Sequence, residues 1–328
     1  MELVPANSSS PVPRTSGAAW RRILENDRGL RAGWRLAIFI CIFYGFPQLL
    51  ISTLRRFAPP MPPTPPPQAI LPTGQLIAGI VAFLWLLLST WIMSRIERRP
   101  VGSYGLPLVP NAPSRFVSGY VLWGFLPITL VLLVLHAFGA FNFGSLALHG
   151  AQIITWGAIW AVVFLSVGLF EEFSFRGYVF QTLADGIGFW PAALILAAGF
   201  GAVHMSNPGE SRVGIAAAAM FGLFAAATVW RTGNLWLAVG AHAGWDWGQS
   251  FVYGVADSGL QVQGHLLNPQ IPALAPAWLS GGSVGPEGSV VTLVLWIVMT
   301  LVVILFYPRR KPELVVVAMD KDSLPLAR

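Results

Sequence analysis

The sequence has little charge and almost no cysteine. Of its 328 residues, 10% are Asp, Glu, Lys or Arg, whereas 55% are hydrophobic and 14 are tryptophan. This composition lies outside the range of ordinary soluble domains and predicts a polytopic membrane protein. Cys41 is the only cysteine, so neither an intramolecular disulfide framework nor a cysteine-based metal site can form.

Two motifs and one processing signal are also missing. The sequence contains no HExxH motif, which excludes the arrangement of the usual soluble zinc proteases. No internal repeat is evident, which argues against a transporter built from inverted repeats. The first long apolar run has no small-residue cleavage site after it, so we interpret it as a retained helix and not as a signal peptide.

What the sequence has instead is a series of long apolar runs. A helix needs roughly 20 apolar residues to cross a hydrocarbon core of about 30 Å. The runs therefore predict an all-α fold with about eight transmembrane helices embedded in the lipid bilayer. The expected spans are residues 36–54, 74–94, 116–136, 151–170, 190–206, 212–230, 235–253 and 288–307.

The basic residues cluster at the ends of these runs. The net charge of +6 therefore indicates contacts with lipid headgroups, and no nucleic-acid partner is expected. If the N-terminus lies inside, all 20 Lys and Arg except Arg55, Arg56 and Arg212 are cytoplasmic. The positive-inside rule thus predicts that both termini lie in the cytoplasm. The excess of Arg over Lys is typical of GC-rich genomes and favours a bacterial inner (plasma) membrane.

The same patterns divide the chain into five segments. A part of the chain without Lys or Arg separates the last two apolar runs, and we expect it to be an external loop. The segments are a cytoplasmic N-terminal part at 1–35, disordered over 1–13 and then amphipathic; three scaffold helices at 36–149 with a Pro-rich connector at 59–68; four helices at 150–253; the external loop at 254–287; and the last helix with a cytoplasmic tail at 288–328.

Ionisable residues stand inside the apolar runs of the segment 150–253. A charge near the centre of a bilayer costs several kcal/mol unless it is paired or hydrated, so intramembrane ionisable residues indicate function. Six such residues on three helices are too many for accident. They are Glu171, Glu172, Arg176, His204, His242 and Asp246.

The spacing of these residues predicts which of them share a helix face. Glu172 and Arg176 are four residues apart and can neutralise each other, while Glu171 points roughly 100° away. One glutamate is then structural and the other is free for chemistry. His242 and Asp246 are also four residues apart, so the carboxylate can orient the imidazole.

The positions of Glu171, His204 and His242 along their helices predict that these residues lie at similar depths in the membrane. A turn at "DGIGFWP" lies almost equally far from Glu171 and from His204, and an antiparallel helix pair therefore places them at one depth. The turn at "RTGN" puts His242 somewhat nearer the cytoplasmic side, a difference that helix tilt could absorb.

These residues resemble the motifs of a protease family. "EEFSFR" matches EExxxR, "FGAVH" matches FxxxH and "HAGWD" matches HxxxN/D, in this order and with apolar flanks. The pattern resembles the CPBP family of intramembrane proteases, which includes CAAX prenyl endopeptidases and bacterial bacteriocin-immunity or "abortive infection" proteins. The resemblance is strongest over about 150–252 and implies an eight-helix fold with its catalytic core in the C-terminal half.

The resemblance also implies a role for each residue. Glu171 is expected to be the general base that activates water for hydrolysis of a peptide bond in a membrane-embedded or lipidated peptide. Glu172 and Arg176 support it. His204, His242 and Asp246 position water, a metal ion or the oxyanion. Asp246 stands where asparagine is commoner, which favours metal ligation or histidine orientation over oxyanion donation.

Two routes for the chemistry and two other functions stay open. In one route His204, His242 and Glu171 hold Zn²⁺ with an open fourth position. In the other no metal takes part and Glu171 accepts the proton of water directly. A non-enzymatic membrane immunity or scaffold protein and an ion-coupled transporter are the alternative functions.

Overall fold

The computed structural model describes residues 23–26, 29–57 and 71–308. Three sequence predictions lie outside these residues: the disordered start at 1–13, the Pro-rich connector at 59–68 and the tail from residue 309 onward. The amphipathic N-terminal stretch is described only in part. There, β1 (Glu25–Asn26) pairs with β2 (Gly29–Leu30) in a short antiparallel hairpin.

Helices account for most of the described chain. They are α1 (Ala32–Arg55), α2 (Pro72–Glu97), α3 (Ala112–Ala137), α4 (Ala151–Arg176), α5 (Tyr178–Ile187), α6 (Phe189–His204), α7 (Arg212–Thr232), α8 (Trp236–Asp246, continued by the π-helical turns Trp247–Val252) and α9 (Val290–Phe306). Further π-helical turns lie within α1 (Cys41–Gly45) and α3 (Gly119–Phe125), and shorter helical turns are Val101–Tyr104, Ala277–Ser280 and Pro286–Gly288.

A helix occupies each of the eight predicted spans. Five helical segments are long and apolar enough to cross a membrane: α1, α2, α3, the stretch Ala151–Ile187 and α7. Helices α6 and α9 are apolar but shorter, with 16 and 17 residues. The prediction of a polytopic all-α membrane protein is confirmed.

Local sequence explains where several helices begin and end. The Ser211 hydroxyl accepts a hydrogen bond from Gly214 N and caps the start of α7. At its other end Gly233 adopts a positive φ of 78°, which a residue without Cβ accommodates readily. Gly177 interrupts the path of the chain after Arg176, so α4 and α5 are separate helices.

Helix α7, in the second half of the chain, is more buried than α1. Over the most apolar part of α7, 56% of the residues are buried, compared with 6% for α1. Small residues also let α8 approach α3 closely. A Cβ on Gly244 would lie 2.1 Å from Tyr120 O, and one on Gly124 would lie 2.3 Å from Ala241 O.

A charged cluster ties helices together at one end of the bundle. Arg35 of α1 binds Glu97 of α2 at 2.7 Å and Asp185 of α5 at 3.1 Å. Arg99 also reaches Asp185 at 3.3 Å, and the Tyr178 hydroxyl donates to Glu97. By the predicted orientation this is the cytoplasmic end.

Ordered structure covers the opposite end of the bundle. Strand β3 (Asn142–Leu146) pairs antiparallel with β4 (Leu267–Gln270), which lies in the predicted external loop. The Trp160 side chain donates to Gln263 O of the same loop at 2.9 Å. These contacts hold the loop against the helices at the end where His204 lies.

Candidate active site

The acidic pair lies in the last two turns of α4, which continues past the predicted end of the span at residue 170 to Arg176. Glu172 is fully buried and binds Arg176 Nη1 at 3.3 Å. The Arg176 guanidinium also lies over the Phe200 ring, 4.6 Å from its centroid. Glu171 faces another way, and its side chain is 34% exposed. One glutamate is thus structural and the other is accessible.

His242 connects the two carboxylates of α4 with the carboxylate of Asp246. Its Nδ1 lies 2.8 Å from Glu172 Oε1, within hydrogen-bond distance. Its Nε2 lies 3.5 Å from Asp246 Oδ2 and 3.7 Å from Glu171 Oε2. The predicted pairing of His242 with Asp246 is present, whereas its hydrogen bond to Glu172 was missed.

The hydrogen bond to Glu172 determines which ring nitrogen of His242 carries the proton. A carboxylate accepts hydrogen bonds, so Nδ1 carries the proton that points at Glu172. In the neutral ring Nε2 then has a lone pair that faces two carboxylates. Separations of 3.5 and 3.7 Å exceed a direct hydrogen bond and are suited to a bridging water molecule.

His204 stands at the end of α6. Its Nδ1 lies 2.7 Å from Phe200 O, and its ring is 4.7 Å from the Phe200 ring. Phe200 in turn lies 6.3 Å from the His242 ring. The backbone carbonyl accepts from Nδ1–H, so the neutral ring offers the Nε2 lone pair.

One cavity of about 200 Å³ joins four of the six predicted residues. Glu171, His204, His242 and Asp246 line it. Glu172 and Arg176 lie behind this wall, where Glu172 holds His242. Aromatic side chains complete the lining, among them Trp245 and Trp296, whose rings lie 4.8 Å apart.

Three further carboxylates line the cavity, and the motifs did not identify them. Glu210 follows α6, while Asp257 and Glu287 belong to the external loop. Carboxylate oxygens of Asp246, Asp257 and Glu287 lie within 4.8 Å of one another. The available signal was a loop that contains two acids and no Lys or Arg.

Hydrogen bonds fix these loop carboxylates in place. Ser250 Oγ donates to Asp257 Oδ2 at 2.8 Å, and Ser258 N donates to Glu287 Oε2 at 3.0 Å. Burial raises the pKa of Asp257 above its ordinary value. Burial and the neighbouring Asp257 carboxylate raise the pKa of Glu287 well above its ordinary value.

The donor atoms do not gather around one point as the predicted zinc site requires. Within the described residues, the group of three or more His, Cys, Asp or Glu side chains with mutually close ligand atoms is Asp246, Asp257 and Glu287. That set excludes His204, His242 and Glu171. Three carboxylates are ligands for hard cations and not the nitrogen-rich set typical of zinc. The zinc site therefore stays a prediction.

The fold and the cavity define a polytopic helical membrane protein with an acid and imidazole site inside its second half. Residues 153–248 match the family model described as "Type II CAAX prenyl endopeptidase Rce1-like". This match supports the resemblance to the CAAX protease family that the motifs indicated. The match contains all six predicted site residues. No curated protein and no solved structure matches the chain.

Proposed function

We propose that this protein is an intramembrane endopeptidase that hydrolyses a peptide bond of a membrane-associated or lipidated peptide. The observation that carries the proposal is the arrangement around His242: an accessible Glu171 on one side, a buried Glu172 on Nδ1, and a cavity in front of both. The family of the matched segment is one of proteases, which agrees with this chemistry.

In the proposed reaction a water molecule next to Asp246 donates one hydrogen bond to the Nε2 lone pair of His242 and gives its other proton to Glu171. The oxygen of that water attacks the peptide carbonyl carbon and forms a tetrahedral intermediate. Glu171 then returns the proton to the nitrogen as the C–N bond breaks, which yields a carboxylic acid and an amine. A positioned general base of this kind contributes about 10²- to 10⁴-fold to the rate.

The remaining residues orient these groups. Glu172 fixes the proton of His242 on Nδ1 and so directs the Nε2 lone pair to the water. Arg176 neutralises Glu172, which otherwise would be an uncompensated buried charge. His204 presents Nε2 from a second helix; as an imidazolium, with Nδ1–H on Phe200 O, it donates Nε2–H to the carbonyl oxygen of the substrate. A bound Zn²⁺ would supply acidification of water, and this alternative is tested by metal analysis of the active protein.

We also propose that the protein lies in a bacterial inner membrane with both termini in the cytoplasm. The distribution of Arg and Lys supports this orientation. It puts the charged cluster around Arg35 inside and the external loop outside. The cavity then lies on the side of the outer face, where Asp257 and Glu287 of the external loop line it.

Hydrolysis of lipid-linked peptides by the purified protein tests the proposal. We expect turnover by the wild type and none by Glu171→Gln, because an amide cannot accept the proton. Asp185→Asn is the matched control, since Asp185 is a carboxylate in the charged cluster outside the cavity, and it should retain turnover. Equal rates for Glu171→Gln and wild type would exclude Glu171 as the base.

A further inference from the structure

The ionisable side chains that line the cavity are mostly acidic. Five carboxylates line it: Glu171, Glu210, Asp246, Asp257 and Glu287. Over the described residues, no Lys or Arg side chain is part of that lining. The Arg176 guanidinium is bound to Glu172 behind the wall. Only His204 and His242 are available to offset the negative charge from within the lining.

Asp246 is a buried carboxylate without a direct hydrogen bond among the described contacts. Its relative exposure is 5%, and it lines the cavity. His242 Nε2 lies 3.5 Å from its Oδ2, which is longer than a direct hydrogen bond. A buried carboxylate needs either a proton or a positive partner. The space in front of it is the cavity itself.

The aromatic walls add a second property that favours cations. The Phe221 ring lies 4.9 Å from Trp296 and 5.0 Å from His242, and Trp245 lies 4.8 Å from Trp296. Aromatic faces attract cations, and Phe200 already carries the Arg176 guanidinium at 4.6 Å on its ring. An acidic cavity with such walls suits an ammonium or guanidinium group better than an apolar or anionic one.

We propose that the peptide that enters this cavity carries a basic side chain close to the scissile bond, bound by the carboxylates of Asp246, Asp257 and Glu287. This inference rests on the proposed function, because it names the substrate class of the same site. It also implies that a substrate with a free carboxylate at that position is disfavoured, since the wall would repel it.

The test compares lipid-anchored peptides that differ at one position. In each peptide the residues around the cleaved bond are replaced one at a time by Lys, by norleucine, which has a similar length without the charge, and by Glu. We expect kcat/KM to be higher for Lys than for Glu by at least about tenfold at one position, with norleucine between them. A preference for Glu, or equal values at every position, would overturn the proposal.

Two isosteric variants locate the preference. Asp257→Asn and Glu287→Gln each remove a charge and should lower the Lys-to-Glu ratio of kcat/KM severalfold, whereas Asp185→Asn should leave this ratio as in wild type. Thermal unfolding of every variant in detergent establishes that it is folded. An unchanged ratio in both folded loop variants would show that these carboxylates do not select the substrate.

A binding measurement separates this inference from the proposed function. The full chain with Glu171→Gln is titrated with N-palmitoyl-lysine amide and with N-palmitoyl-norleucine amide. Tighter binding of the lysine probe, weakened by Glu287→Gln, supports the cation site even if no peptide is hydrolysed. Equal binding of both probes rejects it even if hydrolysis occurs. Tight uptake of one Zn²⁺ or Ca²⁺ per chain, lost in Asp257→Asn, would also overturn it, because the carboxylates would then hold a metal ion.

Discussion

Glu172 has two partners at once, and this makes it the residue on which the site depends structurally. Its Oε1 lies 3.3 Å from Arg176 Nη1 and 2.8 Å from His242 Nδ1. The three side chains are almost completely shielded, with Glu172 and Arg176 at 0% and 1% exposure. Loss of the Glu172 charge therefore leaves a buried guanidinium unpaired and His242 without its acceptor.

We expect Glu172→Gln to lower the free energy of unfolding by about 3 kcal/mol, the scale for breaking a buried ion pair from one side. Turnover should fall as well, because His242 loses its fixed tautomer. Reversible unfolding in mixed detergent measures the stability. The double variant Glu172→Gln/Arg176→Met should recover part of it, since no unpaired charge remains. A single variant as stable as wild type would contradict the pairing.

The histidines allow a matched comparison. His204 and His136 each bring Nδ1 to a backbone carbonyl, at 2.7 Å from Phe200 O and 2.8 Å from Phe141 O. Of the two, His204 lines the cavity. We expect His204→Ala to reduce kcat at least about 10²-fold and His136→Ala to leave kcat within a few fold of wild type. Similar losses in both variants would point to a structural role for His204.

At the scale of the element, the helix that carries His242 and Asp246 is positioned by glycines. Gly240 and Gly244 of α8 face the backbone of α3 at distances that exclude a Cβ. A methyl group at Gly244 would lie 2.1 Å from Tyr120 O, so one helix has to move. Because His242 and Asp246 lie on α8, the movement changes their distances to Glu171.

Gly244→Ala should therefore lower both stability and turnover, the latter at least about tenfold, since small displacements of catalytic groups have large effects on rate. The control is Gly199→Ala on α6, where the added Cβ meets its nearest atom at an ordinary 3.8 Å. Thermal unfolding and peptide hydrolysis are measured for both. Equal behaviour of the two variants would mean that close packing of α3 and α8 does not set the site.

Glu287 in the external loop should make the stability of the protein depend on pH. The pKa of Glu287 is well above its ordinary value in the folded protein, so the folded state binds more protons than the unfolded state as pH rises through this range. Its neighbours in the cavity wall include the side chains of Asp246 and Asp257. The stabilising contribution is complete below the ordinary pKa of Glu and is lost as pH rises through the folded value.

We accordingly expect the gain in unfolding temperature of Glu287→Gln over wild type to be larger at pH 8 than at pH 5. Glutamine resembles the protonated acid and feels no repulsion from Asp257. Because the other ionisable groups are the same in both proteins, subtracting the two unfolding temperatures at each pH removes the effect of their titration. A gain that is independent of pH would show that Glu287 does not titrate in this range.

How much of the site could be predicted from the sequence depends on how far apart along the chain the interacting residues lie. Pairs four residues apart, such as Glu172 with Arg176 and His242 with Asp246, follow from helix geometry alone. The hydrogen bond between Glu172 and His242 joins α4 to α8 and depends on how the helices pack. The position of Asp257 depends on a loop without periodicity, so no spacing rule could bring it to the cavity.

At the scale of the whole molecule, burial differs most between α1 and α7 among the five long apolar segments. The buried share is 6% for α1 and 56% for α7 in their most apolar parts. Lipid therefore contacts most of α1, while α7 contacts other helices. The helices around the cavity form the centre of the molecule, and α1 lies at its margin.

The single cysteine provides a direct test of the orientation. In a Cys41→Ser background, new cysteines are placed at Leu274 in the external loop and at Leu108 between α2 and α3, which are 97% and 95% exposed. An impermeant maleimide applied to intact cells should label Leu274→Cys and not Leu108→Cys. Both should be labelled after the membrane is opened. The reverse pattern would place the termini outside.

The contacts of α1 have a consequence for how its sequence can vary. Phe39 stacks on Tyr178 at 4.5 Å and Arg35 binds Glu97 and Asp185, whereas Leu49 and Leu54 are more than half exposed. Natural selection then acts on the two ends of this helix differently. Substitutions among apolar residues should accumulate freely in its outer turns during evolution, while the turns around Arg35 and Phe39 change together with α5.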